Sequence, residues 1–412
     1  MQGQLKLDVI NFQKDAYITI EGKANANRFF IIRSGQIRIM KEAEVVEEQS
    51  GNVLQPGDFF GVVSTMSAHS HIETTQAISD VSLIGIHKDQ FPNIIQKNAS
   101  VAMKIIVSFS RKLRYLDEQI AKISKKESFS EEPESLFYVG EYYYKKNLYN
   151  QAYYALFKFV KYNPDHENVV KAKEMMEGIE DYAKPVFLEP TATDFKRLYP
   201  DGTTICCEHE PGDELYIIQS GNIKISKIID NKEQIFAVLK PGEIVGEMAL
   251  LENKPRTASV TAYGDTQVMA VSRQNFDKMV TSQPQMATKL IELLAERVWV
   301  LYKQLANIVI TKPMGRIYDM MLIQLEKNRV PIRANATHTF EFGVKELMGM
   351  LGFSEMEGAS LSEPLLQEKK LKVVDNKLMC SDLEFIQKQV EYYKKMDSLE
   401  RARKKASDKK KY

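Results

Sequence analysis

The chain of 412 residues carries 56 Lys plus Arg against 55 Asp plus Glu, with 44% hydrophobic and 27% charged residues. This is an ordinary balance for a folded multidomain protein, and it excludes a global electrostatic pull toward nucleic acid or membrane. Three cysteines, Cys206, Cys207 and Cys380, cannot build a disulfide framework, six scattered histidines show no metal-ligand spacing, and no apolar run approaches membrane-spanning length.

These features together predict a soluble, cytoplasmic protein whose thiols are small buried hydrophobes. Residues 1–98 read as short alternating strands punctuated by glycine: FFIIRSGQIRIM, NVLQPGDFFG and VSLIGIH. A second set, LYIIQSGNIKIS, AVLKPGEIVGEMALL and TQVMAVS, repeats the layout between residues 205 and 271. IIRSGQIRI aligns with IIQSGNIKI, and LQPGDFFG with LKPGEIVG, the latter at an offset of 185 residues from Gly61 to Gly246. Such self-similarity predicts two copies of one β domain.

Each β unit runs into a helical stripe. After the first, Ala102, Ile105, Phe109, Leu113, Leu116, Ile120 and Ile123 recur at steps of three and four, and after the second Leu290, Leu294, Val298, Leu301, Leu305 and Ile308 do the same. Both read as narrow seams suited to helix pairing, within one chain or between two copies in a homodimer. Between the copies, SKKESFSEEPES forms a charged linker. Beyond it Leu136, Gly140, Tyr143, Ala152, Leu156, Phe159 and Pro164 fall at the spacing of a tetratricopeptide repeat, with Leu136 where that family usually has Trp. A lone repeat buries its faces poorly, so this segment is expected to be a helical spacer.

The segment PGEIVGEMALLENKPRTASVTA, residues 241–262, holds the densest chemistry. Gly246 permits a tight turn, and Glu247, Met248, Ala249 and Leu250 open one helical turn whose free N–H groups suit an anion. Arg256 supplies a planar fork of donors matched to phosphate oxygens, and the backbone N–H groups of Ala258 and Ser259 add more. In this order and separation the segment resembles the phosphate-binding cassette of the cyclic nucleotide-binding domain, shared by catabolite activator-type regulators, cyclic-nucleotide-dependent kinases and gated channels. The resemblance covers about 120 residues and implies that Glu247 accepts from the ribose 2′-hydroxyl while Arg256 holds the cyclic phosphate. It also implies that Thr257, after the arginine, influences base choice and leaves both cAMP and cGMP open. The hydroxyl pair that a catabolite activator carries on the trailing helix is replaced by Leu293 and Leu294, so Trp299 and Tyr302 become the candidates to cap the base.

The first copy departs from the pattern. Val62 stands opposite Glu247 and His71 opposite Arg256; valine cannot accept a hydroxyl, and histidine is a weaker, pH-dependent phosphate donor. This copy is expected to be structural.

Toward the C-terminus, Gly315-Arg316-Ile317 stands where catabolite activator-type regulators begin their DNA-binding domain. FEFGVKELMGMLGFSEMEGASLSEPLLQEKKLKVVDNKLMC then resembles a Crp/Fnr winged helix-turn-helix, with Phe342, Val344, Leu347 and Leu351 as the core face, Gly352 at the turn and Asp375-Asn376 turning the wing. The helix expected at Ser354 to Gln367 carries Glu355, Glu357 and Glu363, no Lys or Arg, and an interrupting Pro364. Such a face repels a polyanion, so protein contact is expected ahead of DNA reading. RARKKASDKKKY, with seven basic residues and one acid, is expected to be a solvated end with some capacity for phosphates.

The expected fold class is α+β and multidomain. Two antiparallel, jelly-roll-like β-rolls occupy 1–125 and 187–311, a helical spacer 126–186, a winged-helix-like domain 312–390 and a basic tail 391–412. With no Ser/His/Asp arrangement, Walker loop or kinase signature, the expected function is non-enzymatic sensing of cAMP or cGMP, signalled through the helix near 285–310 to the C-terminal domain. The alternatives are a nucleotide-dependent transcription regulator and a structural interaction protein with vestigial sites. No cofactor beyond the ligand is expected, and a protein partner is left unidentified.

Overall fold

The computed structural model of the protein describes residues 8–23, 27–41, 52–123, 134–191, 193–229 and 231–408. The first roll consists of β1 (Asp8–Phe12), β2 (Tyr17–Thr19), β3 (Arg28–Ser34), β4 (Ile37–Met40), β5 (Val53–Leu54), β6 (Phe59–Phe60), a short helix α1 (Val62–Ser67), β7 (Thr74–Ala77) and β8 (Val81–His87). Its strands form two antiparallel four-stranded sheets of order β1-β8-β3-β6 and β2-β7-β4-β5. Alternation along β3 and its partners turns Phe30, Ile32, Ile37, Phe60, Ala77 and Leu83 into one buried cluster. Helices α2 (Phe91–Lys97) and α3 (Ala99–Ile123) follow.

Three helices then stand between the rolls: α4 (Ser135–Lys145), α5 (Tyr149–Tyr162) and α6 (Val169–Glu177). The residues expected to shape this spacer do pack together, since Leu136, Gly140, Tyr143, Ala152, Leu156 and Phe159 are all buried, and α5 ends two residues before Pro164. Gly140 is required by its neighbour: a Cβ there would lie 2.7 Å from Leu156 Cδ2. The expected linker lies, as far as residue 133, outside the described residues.

The second roll comprises β9 (Lys196–Tyr199), β10 (Thr204–Cys206), β11 (Glu214–Ile229), β12 (Lys232–Leu239), β13 (Ile244–Val245), the short helix α7 (Glu247–Glu252) and β14 (Ser259–Ser272). They form an antiparallel sheet of order β10-β14-β11-β12, with β13 on β11 and β9 on β14. The internal repeat survives as backbone geometry. Gly35 and Gly221, at the same point of the IIxSGxI motif, both have positive φ (86° and 75°), and a Cβ on either would run into the carbonyl of Asp80 or Asp265. The first roll breaks its strand there into β3 and β4, whereas β11 continues through a bulge.

The rest of the chain is α8 (Arg273–Ser282), α9 (Pro284–Ile308), α10 (Pro313–Lys327), β15 (His338–Thr339), α11 (Val344–Met350), α12 (Glu355–Leu366), β16 (Leu371–Val374), β17 (Lys377–Cys380) and α13 (Leu383–Asp408). Phe342, Leu347 and Leu351 are buried in its core with Val344 packed against them, Gly352 has φ 70°, and Asp375 and Asn376 turn the β16–β17 hairpin at φ 48° and 61°. Pro364 does not interrupt α12. It sits in the last turn, so the hydrogen bond its missing N–H would have given to the Ser360 carbonyl is lost only two residues before the helix ends. Residues 409–412 of the basic tail lie outside the described residues, and α13 runs to Asp408.

The chain divides into two compact units, each discontinuous in sequence. One holds the second roll, the spacer, and α2 and α3 as far as residue 118; the other holds the first roll, α9 from Glu296 onward and the C-terminal segment. The stripes on α3 and α9 are broader than narrow seams. On α3, Ile106, Ser110 and Arg114 are buried beside Ile105, Phe109 and Leu113; on α9, Ile291, Ala295, Trp299 and Tyr302 join Leu290, Leu294 and Val298. Both helices are therefore buried over a wide band.

Gly140→Val should force α4 and α5 apart, with a loss of about 1–3 kcal/mol from overpacking. Thermal denaturation should register this as a drop in melting temperature of several degrees.

Candidate functional site

The segment from Gly246 to Ser259 is built on a backbone that only glycine accommodates well. Gly246 caps α7 at φ 85°, and Asn253 closes the helix at φ 56°, so six residues make one tight element with its N-terminus held on the roll. Glu247, Met248, Ala249 and Leu250 are buried, Glu247 to 1% exposure. Thr257 and Ala258 are half-buried, and Ser259 is buried at the start of β14.

Arg256 is only 4% exposed, yet it is a permanent cation. Its Nη1 donates to the Gly246 carbonyl at 2.8 Å, and its guanidinium lies 5.4 Å from the Tyr216 ring centre. Its Nε is buried without a hydrogen-bond partner, although buried donors are ordinarily satisfied. A Cβ on either Gly212 or Gly246 would collide with this guanidinium, so both glycines are needed to seat it. Main-chain bonds fix the arginine from below: Arg256 N donates to Glu210 O and His209 N to Arg256 O, both at 2.8 Å. An orphaned guanidinium donor, a capped helix N-terminus and a buried carboxylate next to it suit a ligand carrying one phosphate and a vicinal hydroxyl.

The first roll keeps the backbone but not the chemistry. Gly61 caps α1 at φ 75° and Ala68 closes it at φ 56°, matching Gly246 and Asn253. Val62 fills the place of Glu247, and burial holds the His71 imidazole below its usual range, partly offset by Glu73. A neutral ring replaces the fixed cation, so this roll lacks the groups that would hold an anion in the same way.

Two expected site residues make contacts of their own with the first roll. Trp299 and Tyr302 are engaged by the first roll: the Trp299 ring stacks on His69 with centroids 3.9 Å apart, and the Tyr302 hydroxyl donates to Glu21 at 3.0 Å. His69 Nε2 in turn pairs with Glu296 at 2.9 Å. Against α7 the structure instead brings α3, whose Ser110 Oγ and Arg114 Nε donate to Glu252 at 2.7 and 2.8 Å. Sequence reasoning missed these residues. Their one signal was a polar pair four residues apart inside an otherwise apolar band.

Burial also accounts for the neighbouring titratable groups. It pushes the Cys206 thiol up to about 12, so this thiol is an inert core side chain. Glu208 is 4% exposed; its N–H donates to Ser259 Oγ and its Oε1 accepts from Ile228 N. Burial raises its pKa to about 7, with the Ile228 bond opposing. Among the described residues no group of three or more His, Cys, Asp or Glu is arranged to hold a metal ion, and no helix is long and apolar enough to cross a membrane.

A family model for the cyclic nucleotide-binding domain matches residues 9–98 and again residues 196–283. The chain therefore contains two cyclic nucleotide-binding domains, and its relatives include Crp/Fnr-like regulators. It is 30% identical over 125 residues to a CRP-like cAMP-activated global transcriptional regulator of Mycobacterium tuberculosis, covering 30% of this chain and 56% of the relative. It is 36% identical over 103 residues to the cyclic AMP receptor protein of Thermus thermophilus, covering 25% and 48%. With a cAMP-dependent protein kinase regulatory subunit of Aspergillus niger it shares 38% identity over 82 residues, 20% of each chain. The chain thus spans about half the length of the two bacterial relatives.

Glu208 gives this region a pH signature. An unfolded glutamate ionises near 4.5 and Glu208 near 7, so the native state holds one more proton between those values and stability falls as pH rises through that window. Glu208→Gln removes the charge and keeps the acceptor for Ile228. The variant should exceed the parent by about 3 kcal/mol at pH 8 but only about 1 kcal/mol at pH 5, by urea denaturation at the two pH values.

Proposed function

We propose that the second roll is the single nucleotide-sensing site of a non-enzymatic regulator, and that its ligand is cAMP or cGMP. The observation that carries this reading is the buried, incompletely bonded Arg256 beside the glycine-capped α7. In the bound state Arg256 meets the cyclic phosphate, and the N–H groups of Ala258 and Ser259 add donors. Glu247 accepts from the ribose 2′-hydroxyl, and Thr257 lies toward the base. Ser110 and Arg114 bond to the end of α7. The relatives' names supply cAMP as one candidate; nothing in the residues excludes cGMP.

The first roll acts as the structural partner. Signalling runs along α9, a single helix from Pro284 to Ile308, whose far half bonds to the first roll and to α10 through Asn307. Ligand shifts this element by binding one of its states better. The C-terminal segment, with helix, Gly352 turn, helix and hairpin, supports a winged-helix-like reading, and the three-helix spacer a tetratricopeptide-like one. The turn-connected α11 and α12 favour a second reading, a nucleotide-dependent DNA-binding regulator. Against DNA stands the outward face of α12, which exposes Glu355, Met356, Glu357 and Glu363, with Glu357 also consumed in capping Ser354. A protein partner fits that acidic and apolar face better.

Calorimetric titration of the full chain with cAMP and cGMP should give one site. Arg256→Ala should weaken it at least about 100-fold, the weight of losing roughly 3 kcal/mol of charge-assisted contact, and Glu247→Ala about tenfold. Unchanged affinity in Arg256→Ala would sink the site assignment.

A further inference from the structure

The spacer grips the second roll at two places. On one side Lys158 Nζ of α5 pairs with Glu210 Oε1 at 3.1 Å, and Tyr154 Oη donates to the Ile205 carbonyl at 3.0 Å and approaches the Glu210 carboxylate at 3.2 and 3.3 Å. The other Glu210 oxygen accepts from Cys207 N at 2.9 Å. Lys158, Tyr154 and Glu210 are 6%, 3% and 5% exposed. On the other side Tyr142 Oη of α4 accepts from Glu233 N of β12 at 2.9 Å.

Glu210 is the point where this attachment reaches the site. Its carbonyl takes the Arg256 N–H, and two residues on, Gly212 lies directly against the guanidinium. The turn from Glu210 to Gly212 is therefore the wall on which Arg256 rests. Helix attachment alone does not call for a buried ion pair, because an apolar pair of the same volume holds two elements together as well or better. What the Lys158–Glu210 pair adds is a fixed position for the carboxylate and hence for the turn behind it.

We propose that α5 is part of the nucleotide site, with Lys158 and Tyr154 acting as positioning residues for Arg256 through Glu210. The inference rests on the cyclic-nucleotide reading given above. It makes the spacer a determinant of nucleotide affinity: a movement of α5 on the roll changes the seat of the arginine. The effect falls on the phosphate contact, which cAMP and cGMP share, and leaves the preference between them alone.

Two variants test this in the full chain. Tyr154→Phe removes the hydroxyl without changing the packing, and the double variant Lys158→Met with Glu210→Gln removes both charges without stranding either. Each is titrated calorimetrically with cAMP and with cGMP, in the parent and in an Arg256→Lys background, after thermal melting has established that it folds. The expected result is at least fivefold weaker binding in the parent background, by the same factor for each nucleotide that binds, and less than twofold in Arg256→Lys, because the change acts through the arginine. If the double variant fails to fold, Tyr154→Phe alone decides. Unchanged affinity, equal losses in the two backgrounds, or a loss confined to one of two binding nucleotides overturns the inference while the cyclic-nucleotide reading stands. Absence of binding by the parent overturns both.

Discussion

A cation buried in a β-roll sets the terms for the rest of the second domain. Withdrawing a guanidinium from water costs several kcal/mol unless its surroundings answer it. Around Arg256 the answer is partial: one carbonyl from Gly246, the face of Tyr216, and two glycines that leave room for the planar group. The Arg256 Nε is buried without a partner. An arrangement so incompletely satisfied suits an anion. The positive φ at Gly246, the short helix it caps and the turn at Glu210 each place something against this one side chain.

The comparison between the two rolls isolates that constraint. Both keep the same skeleton, including glycine at the strand break, glycine at the helix cap and a left-handed residue after the helix. Skeleton alone therefore does not make an anion site. Replacing an arginine by a half-buried neutral histidine removes the cation, and replacing a glutamate by valine removes the acceptor. What the first roll gains is His69, on which Trp299 of α9 stacks and which Glu296 meets. The first roll thus meets a helix of its own chain at His69.

The α3 and α9 helices gain a corresponding meaning. Each contributes residues to both compact units, so neither unit is a continuous piece of sequence. Their burial over a broad band, with polar residues such as Ser110, Arg114 and Asn307 inside it, reflects several different neighbours met along one helix. A seam made for a single partner has no need of such polar groups.

The alternation of short strands, the glycines at fixed offsets, the Asp375-Asn376 turn and the cassette motif were all legible in the chain. Each is a local matter, decided by backbone sterics or by residues close in sequence. The departure of the first copy from the motif was legible for the same reason, because two substitutions at aligned positions remove two named groups. What surrounds the site was decided only by tertiary structure. Helical periodicity identifies a buried face without saying which surface buries it, so Trp299 and Tyr302 read as base-capping candidates although the first roll holds them. Lys158 and Glu210 lie 52 residues apart, from 158 to 210, and carry no motif. Their pairing exists because folding removes both charges from water at one place, and charges buried together must find each other.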